Sequence, residues 1–411
     1  MSAVNTMPNM LQGHDSTHPR VLVFSQRGIS PNVLYRGPHY EFENIICQID
    51  SATLLAPHPH KWFALRHGMA KRLAWHSPIL MNPGLVRMTP DRGYDLFFAI
   101  CGSPVDLLAL GSVANWRNLA NTSICLLDEM WVKELTAYKH YLSILTAFDV
   151  VMFYYSQTAA AVGSELHSRC MFVPPGIDSI LFCPYPECRP RVVDVYSIGR
   201  RSDVTHQELL RQATDHGSLY IHDSIAGGSA IDVAQHRMLL ANLAKRSRYF
   251  IVNPALVDRP DVRGEQSEIG NRYFEGAASG AVMIGDRPKN REFDMLFDWP
   301  DAVVNLPFGS GDINRLIAEM DSQPDRLQKI RNDNVVNALM RHDWVYRWET
   351  VLKAAGIEPM RGLLERKERL RQLASSISAA DTTDHNPADG LGSRQTAHLG
   401  HDQRIFSRSE L

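Results

Sequence analysis

Arg272 and Glu275 stand three residues apart in the run GNRYFEGAASGAVMI, residues 270–284, a spacing that sets both on one face of a helix. A guanidinium suits a diphosphate, and a carboxylate with two acceptor oxygens suits the cis hydroxyls of a ribose. Gly270 and Asn271 open that helix, whose free amides and positive dipole end stabilise an anion. A second cluster is SIGRR, residues 197–201, an apolar strand followed by a glycine and two arginines. Ligands of open α/β sheets lie beyond the carboxyl ends of strands, and Gly199 lets backbone approach a phosphate there. Arg200 and Arg201 bring cationic groups to this turn, and His206 lies shortly beyond. Cations so placed would stabilise negative charge developing on a bound phosphate. The competing readings are a solvated ion pair worth a few tenths of a kcal/mol for Arg272 and Glu275, and two arginines merely solvated at a loop for Arg200 and Arg201.

The run FEGAASGAVMIG resembles the donor-site signature of group 1 glycosyltransferases of the GT-B fold. Gly270 occupies the position of that family's glycine under the donor sugar. Ser267 stands where the family's other acid is usual, with Glu268 beside it, and Arg272 brings the sequence near the branch written R-x-FE. PPGID at residues 174–178 is similar to the family's interdomain connection. The resemblance implies two Rossmann-like domains facing a cleft, and a sugar moved from a nucleotide diphosphate sugar to a hydroxyl. Glu275 would then lie on the ribose, with Arg200, Arg272 and the helix terminus on the diphosphate. Retention of configuration and a place in glycan or polysaccharide assembly also follow from the resemblance. So does a final helix crossing back to the first domain, for which Trp344 and Trp348, one turn apart, are suited.

The elements that must position these residues alternate along the chain. A short apolar run at 21–24 turns out through Arg27 and Gly28, and Gly28, at that strand end, is expected to border the substrate. Further strand-type runs occur at 95–101, 123–127, 150–154 and 170–173, with helical patterns at 105–119, 132–147 and 157–166 between them. Continuous apolar strands separated by helices predict a doubly covered parallel sheet. Five prolines between residues 174 and 190 break the pattern, and it restarts at 192–198. The chain divides accordingly. A polar, disordered stretch at 1–19 precedes an N-terminal Rossmann-like acceptor domain at 20–175. A C-terminal nucleotide-sugar domain occupies 190–341, helices follow at 342–374, and a disordered polar tail spans 375–411. Asn253 opens the loop before the signature helix, where a base contact and a merely solvated loop are equal readings. Asp128 and Glu129 follow the 123–127 strand; either could orient an acceptor hydroxyl or act as base, and helix capping is the alternative.

The chain has 411 residues, 44% hydrophobic and 21% charged, with net charge near −2. That balance offers no overall attraction to nucleic acid. Neither a G-x-x-x-x-G-K-[ST] nor a G-x-G-x-x-G motif follows the first strand, which removes the best evidence for ATPase or NAD chemistry. Six scattered cysteines and an N-terminus without an apolar core predict a cytoplasmic chain of free thiols. No metal or cofactor is expected, the nucleotide sugar serving as co-substrate. The acceptor is expected to be a glycan, a lipid-linked molecule or a small molecule. The basic aromatic stretch 61–75 adds a peripheral contact with the inner membrane face as one reading and a solvated helix as the other. Two rival functions stay open: a GT-B relative that binds nucleotide sugar and transfers nothing, and an isomerase or phosphorylase of the same fold.

Overall fold

The computed structural model describes residues 19–90, 93–166, 169–223 and 228–383. The polar ends at 1–18 and 384–411 lie outside these residues. Two parallel sheets carry the architecture. In the N-terminal domain, β1 (Val21–Phe24), β2 (Ala52–Leu55), β3 (Tyr94–Cys101), β4 (Ala120–Leu127), β5 (Val150–Phe153) and β6 (Cys170–Phe172) order as β2-β1-β3-β4-β5-β6. In the C-terminal domain, β7 (Val193–Ser197), β8 (Tyr220–His222), β9 (Ser247–Val252), β10 (Val282–Gly285) and β11 (Val304–Asn305) order as β11-β10-β9-β7-β8. Every pairing is parallel.

Alternation along the strands explains why both faces are covered. Val21, Val23, Leu96, Phe98 and Ile100 enter one apolar cluster, while Leu22, Phe24, Phe97, Ala99 and Cys101 enter the cluster on the opposite face. The second sheet repeats the division, with Phe250 and Met283 on one side and Tyr249, Val282 and Ile284 on the other.

The chain crosses between domains twice, and the crossings hold each other. The Ile177 amide donates to the His342 carbonyl at 3.0 Å and the Trp344 amide to the Ile177 carbonyl at 3.1 Å. After that pairing the helix Trp344–Ala355 packs on the N-terminal domain. Trp344 stacks on Phe42 with centroids 4.7 Å apart, and the Trp348 indole donates to Asp50 at 2.9 Å. Arg366, on the last helix (Arg361–Thr383), pairs with Asp343 and Asp178 at the same crossing.

Three sequence expectations are corrected. The helix read at 105–119 is a 3₁₀ segment, Pro104–Ser112, followed by Trp116–Asn118. Its backbone is diverted because residues 112–114 pair with Met88 instead of continuing a helix. The long helix at 132–147 shrinks to Lys139–Leu145 after one 3₁₀ turn. There the Val132 amide is taken by Gln266 of the other domain and Leu135 turns into the core. The tail expected from Ser375 is helical to Thr383, because the stripe Leu363, Leu370, Ala374 and Ile377 stays buried against the N-terminal domain. Among the described residues, no helix is long and apolar enough to cross a membrane.

Gly176 sits where the first crossing passes under Trp344, and a Cβ there would come within 2.5 Å of the indole. Gly176→Ala is therefore expected to cost about 1–3 kcal/mol through overpacking, read as a lower urea midpoint with an unchanged slope.

Candidate active site

A cleft of about 600 Å³ lies between the two domains. Its walls are built from residues that directly follow strand ends, which is where parallel sheets leave backbone groups unpaired. From the N-terminal domain come Asp128 and Glu129 after β4 and Tyr155 after β5. From the other come Gly199 and Arg200 after β7, Asp223 after β8 and Asn253 after β9. Gly270, Asn271, Arg272 and Glu275 close the C-terminal wall.

The helix Asn271–Ser279 begins at Gly270, which has no side chain to cap it, and ends at Gly280 in the left-handed conformation. Its first amides therefore face the cleft, where an anion gains both hydrogen bonds and the dipole. Gly199 has φ +85°, and a Cβ on it would stand 3.7 Å from Arg272 Nε, so the β7 turn lies directly under that guanidinium. Asp223 holds the turn by accepting from the Gly199 amide at 3.1 Å. Arg200 donates to both carboxylate oxygens of Asp258 at 2.9 and 3.1 Å. That pair is half-exposed and so worth no more than about 1 kcal/mol, which leaves Arg200 easy to recruit.

Glu275 departs from its expected part. It is fully buried, and its two oxygens are held by Arg237 and Arg272. It reaches the cleft through Arg272 and not as a carboxylate offered to a ribose. The reason is Arg237, from the helix Val233–Lys245, which pairs Glu275 on one side and Glu41 of the N-terminal domain on the other, the latter at 2.7 Å. Glu41 also accepts from the Trp344 indole and the Asp178 amide, each at 2.7 Å. Burial pushes the Glu41 carboxyl up, against the pull of Arg237. Burial opposes the charge on Glu275 too, but Arg272 and Arg237 outweigh it and hold that carboxyl below its usual range.

Three further expected residues are placed away from the cleft wall. Gly28 is where the loop after β1 meets the one after β2; a Cβ there would lie 2.3 Å from the Pro57 carbonyl oxygen. Arg201 turns outward to His222 and Asp223, and His206 bonds Tyr220 at 2.9 Å, both beside a separate small cavity. Neither Ser267 nor Glu268 takes the place of the missing acid. The Ser267 hydroxyl accepts from the Lys289 amide. Glu268 instead reaches across to the amides of Ser156 and Gln157, at the start of the N-terminal-domain helix Ser156–Leu166. Burial raises its carboxyl to about 7.

On the acceptor side Asp128 shares a 2.8 Å hydrogen bond with the buried His39. Burial, with Asp128 next to it, raises the Glu129 carboxyl. His236 also lines the cleft, its imidazole pKa pulled below the usual value by burial and by Arg272 and Arg237. Glu41, His39, His236 and Arg237 were not singled out in the sequence. The available signal was charge inside otherwise apolar helical faces, as in VAQHRMLLANLAK. Among the described residues no group of three or more His, Cys, Asp or Glu is placed to hold a metal ion.

Residues 200–353 match the family described as Glycosyl transferase-like. No curated protein matches the chain in sequence. Similar solved structures include Anabaena HepE in complex with UDP and glucose, 11% identical over 82% of this chain and 100% of that one, with a TM-score of 0.48. An alpha-glucosyltransferase in complex with UDP and a DNA 13-mer containing an HMU base is 10% identical over 82% and 99%, with a TM-score of 0.49. The trehalose-phosphate synthase of Burkholderia vietnamiensis is 12% identical over 80% and 85%, with a TM-score of 0.44.

Arg237→Gln leaves the buried Glu41 without an ion-pair partner and Glu275 with Arg272 alone. It is expected to remove about 3–5 kcal/mol of stability at pH 7, part of it regained at pH 5 as those acids take up protons; urea unfolding at both pH values measures this. At Glu268 the native state keeps a proton that the unfolded chain loses near the ordinary glutamate value. Its contribution is complete below that value and is lost as pH rises through about 7. The stability of Glu268→Gln relative to wild type should therefore rise between pH 5 and pH 8, by up to about 3 kcal/mol, in paired melting curves.

Proposed function

We propose that this protein is a glycosyltransferase that moves a sugar from a nucleoside diphosphate to a hydroxyl acceptor lying against the N-terminal domain, a reading supported by the match of residues 200–353 to the Glycosyl transferase-like family. The observation that carries the reading is the uncapped terminus of the helix Asn271–Ser279 at the cleft wall. A Cβ on Gly270 would meet its nearest protein atoms at 3.5 and 3.8 Å, ordinary contact distances. Packing alone therefore does not exclude a Cβ at this position, which borders the cleft.

In this reading the diphosphate rests on the helix amides with Arg272 and Arg200 at its sides, Arg200 releasing Asp258 as it does so. These cations and the helix dipole stabilise the negative charge on the departing nucleoside diphosphate, and no metal ion is called for. Glu275 fixes Arg272 from beneath, as a positioning residue. Asn253 and Asn271 border the donor, and Asp128, oriented by His39, takes the acceptor hydroxyl. Retention of configuration, a place in glycan or polysaccharide assembly, a cytoplasmic site of action and a peripheral position at the membrane complete the proposal. A second reading, a protein that binds nucleotide sugar and transfers nothing, is favoured by the commitment of both Glu275 oxygens to arginines.

Calorimetric titration with UDP-, GDP- and dTDP-sugars, followed by assay of their slow hydrolysis, tests the proposal. Binding with turnover supports transfer, binding without turnover supports the second reading, and no binding sinks both. Arg200→Ala and Arg272→Ala are each expected to weaken binding by about 10- to 100-fold. Gly270→Val should do the same, with a stability loss of about 1 kcal/mol at the helix N-cap.

A further inference from the structure

We infer that the helix Phe63–His76 and its flanks form a docking surface for an anionic lipid bilayer. The inference stands on this helix alone and does not rest on the reading of the cleft. An ordinary surface helix turns its large apolar residues inward and its charges outward. Here the arrangement is reversed. The buried positions are the small Ala70 and Ala74, one turn apart, and they pack with Leu108 and Tyr141. Trp62, Leu65 and Met69, spaced three and four apart on the outward side, are 56%, 63% and 54% exposed. Trp75 and Ile79 extend the patch at 47% and 61%. Trp75 is held edge-on to Tyr138 at 5.8 Å, so its ring is anchored on one side and open on the other.

Charge selects the partner. Residues 51–90 contain Lys61, Arg66, Lys71, Arg72 and Arg87 and not a single Asp or Glu, in a chain whose net charge is −2. Lys61, Arg66, Lys71 and Arg72 are all exposed, and Lys61 sits over the Trp62 ring at 5.8 Å. Exposed leucine, methionine and tryptophan flanked by cations, with no acid among them, match the acyl boundary and phosphate layer of an anionic membrane. The long basic side chains can lay their stems along the apolar patch while their heads reach the phosphates. The same helix joins the acceptor side of the cleft. The loop leading into it passes Gly28 at the Pro57 carbonyl, and the chain from Gly28 runs on to Leu34 and Tyr35 in the cleft wall.

Co-sedimentation of the full chain with vesicles tests the inference, comparing mixed phosphatidylglycerol and phosphatidylcholine with phosphatidylcholine alone. Wild type should bind the anionic vesicles preferentially and lose binding as salt is raised. Leu65→Ser with Met69→Ser, and separately Arg66→Glu with Lys71→Glu and Arg72→Glu, should each weaken binding by about tenfold or more. All five positions are exposed, so melting temperatures should hold, and hydrolysis of a soluble nucleotide sugar should be unchanged. The inference is overturned by equal binding to both vesicle types, by no binding, or by variants that bind as wild type does. A concentration-dependent dimer in gel filtration that the same substitutions abolish would also overturn it, by assigning the face to a second copy.

Discussion

The guanidinium of Arg237 is the point on which the two domains meet. It is buried between Glu41 of one domain and Glu275 of the other, and each acid is tied to something further. Glu41 takes hydrogen bonds from both interdomain crossings, through the Asp178 amide and the Trp344 indole. Glu275 holds Arg272 at the cleft. A buried charge without a partner is costly, and a buried chain of alternating charges is tolerated only when every member is satisfied. The position of one cation in the cleft wall is thereby linked to the relative placement of the domains. A change in one has to be accommodated in the other.

The contacts that reinforce this link are unlike it in chemistry. Trp344 and Trp348 bury apolar area on the N-terminal sheet, while their indole N–H groups donate to Glu41 and Asp50. Glu268 reaches across to the start of the helix Ser156–Leu166, with its carboxyl raised by burial. Val33 pairs with Ser229 across the opposite side of the cleft, backed by the Ala230 amide on the Asn32 carbonyl at 2.8 Å. The closed arrangement thus rests on packing at the crossings, on ion pairs beneath the cleft and on backbone pairing at its other edge.

Much of the architecture was legible because parallel, doubly covered strands must be continuously apolar. DLFFAIC and VMIG announce themselves, and both fell on interior strands, paired on both sides. The run of prolines before Val193 marked the division between sheets for an equally local reason, since proline cannot donate to a ladder. The misread elements were those whose backbone is set by partners far along the chain. Residues 112–114 turn from helix to pair with Met88, and Val132 gives its amide to Gln266. The last helix outran its expected end because Ile377, lying in a polar stretch, has a core to enter.

What the sequence determined by itself is the set of local devices: a glycine before a helix, arginines after a strand, acids after another. Each depends on neighbours a few residues away, and Gly199, Arg200, Asp128, Asn253, Gly270, Asn271 and Arg272 do border one cleft. What only the tertiary structure decided is which charges are free. Glu275 looked like an open carboxylate until a helix nearly forty residues earlier in the chain placed Arg237 against it, while Arg201 and His206 were drawn to β8 and its far end. Spacing along a chain fixes which way a side chain points; it carries no record of the ion that arrives from another element to neutralise it.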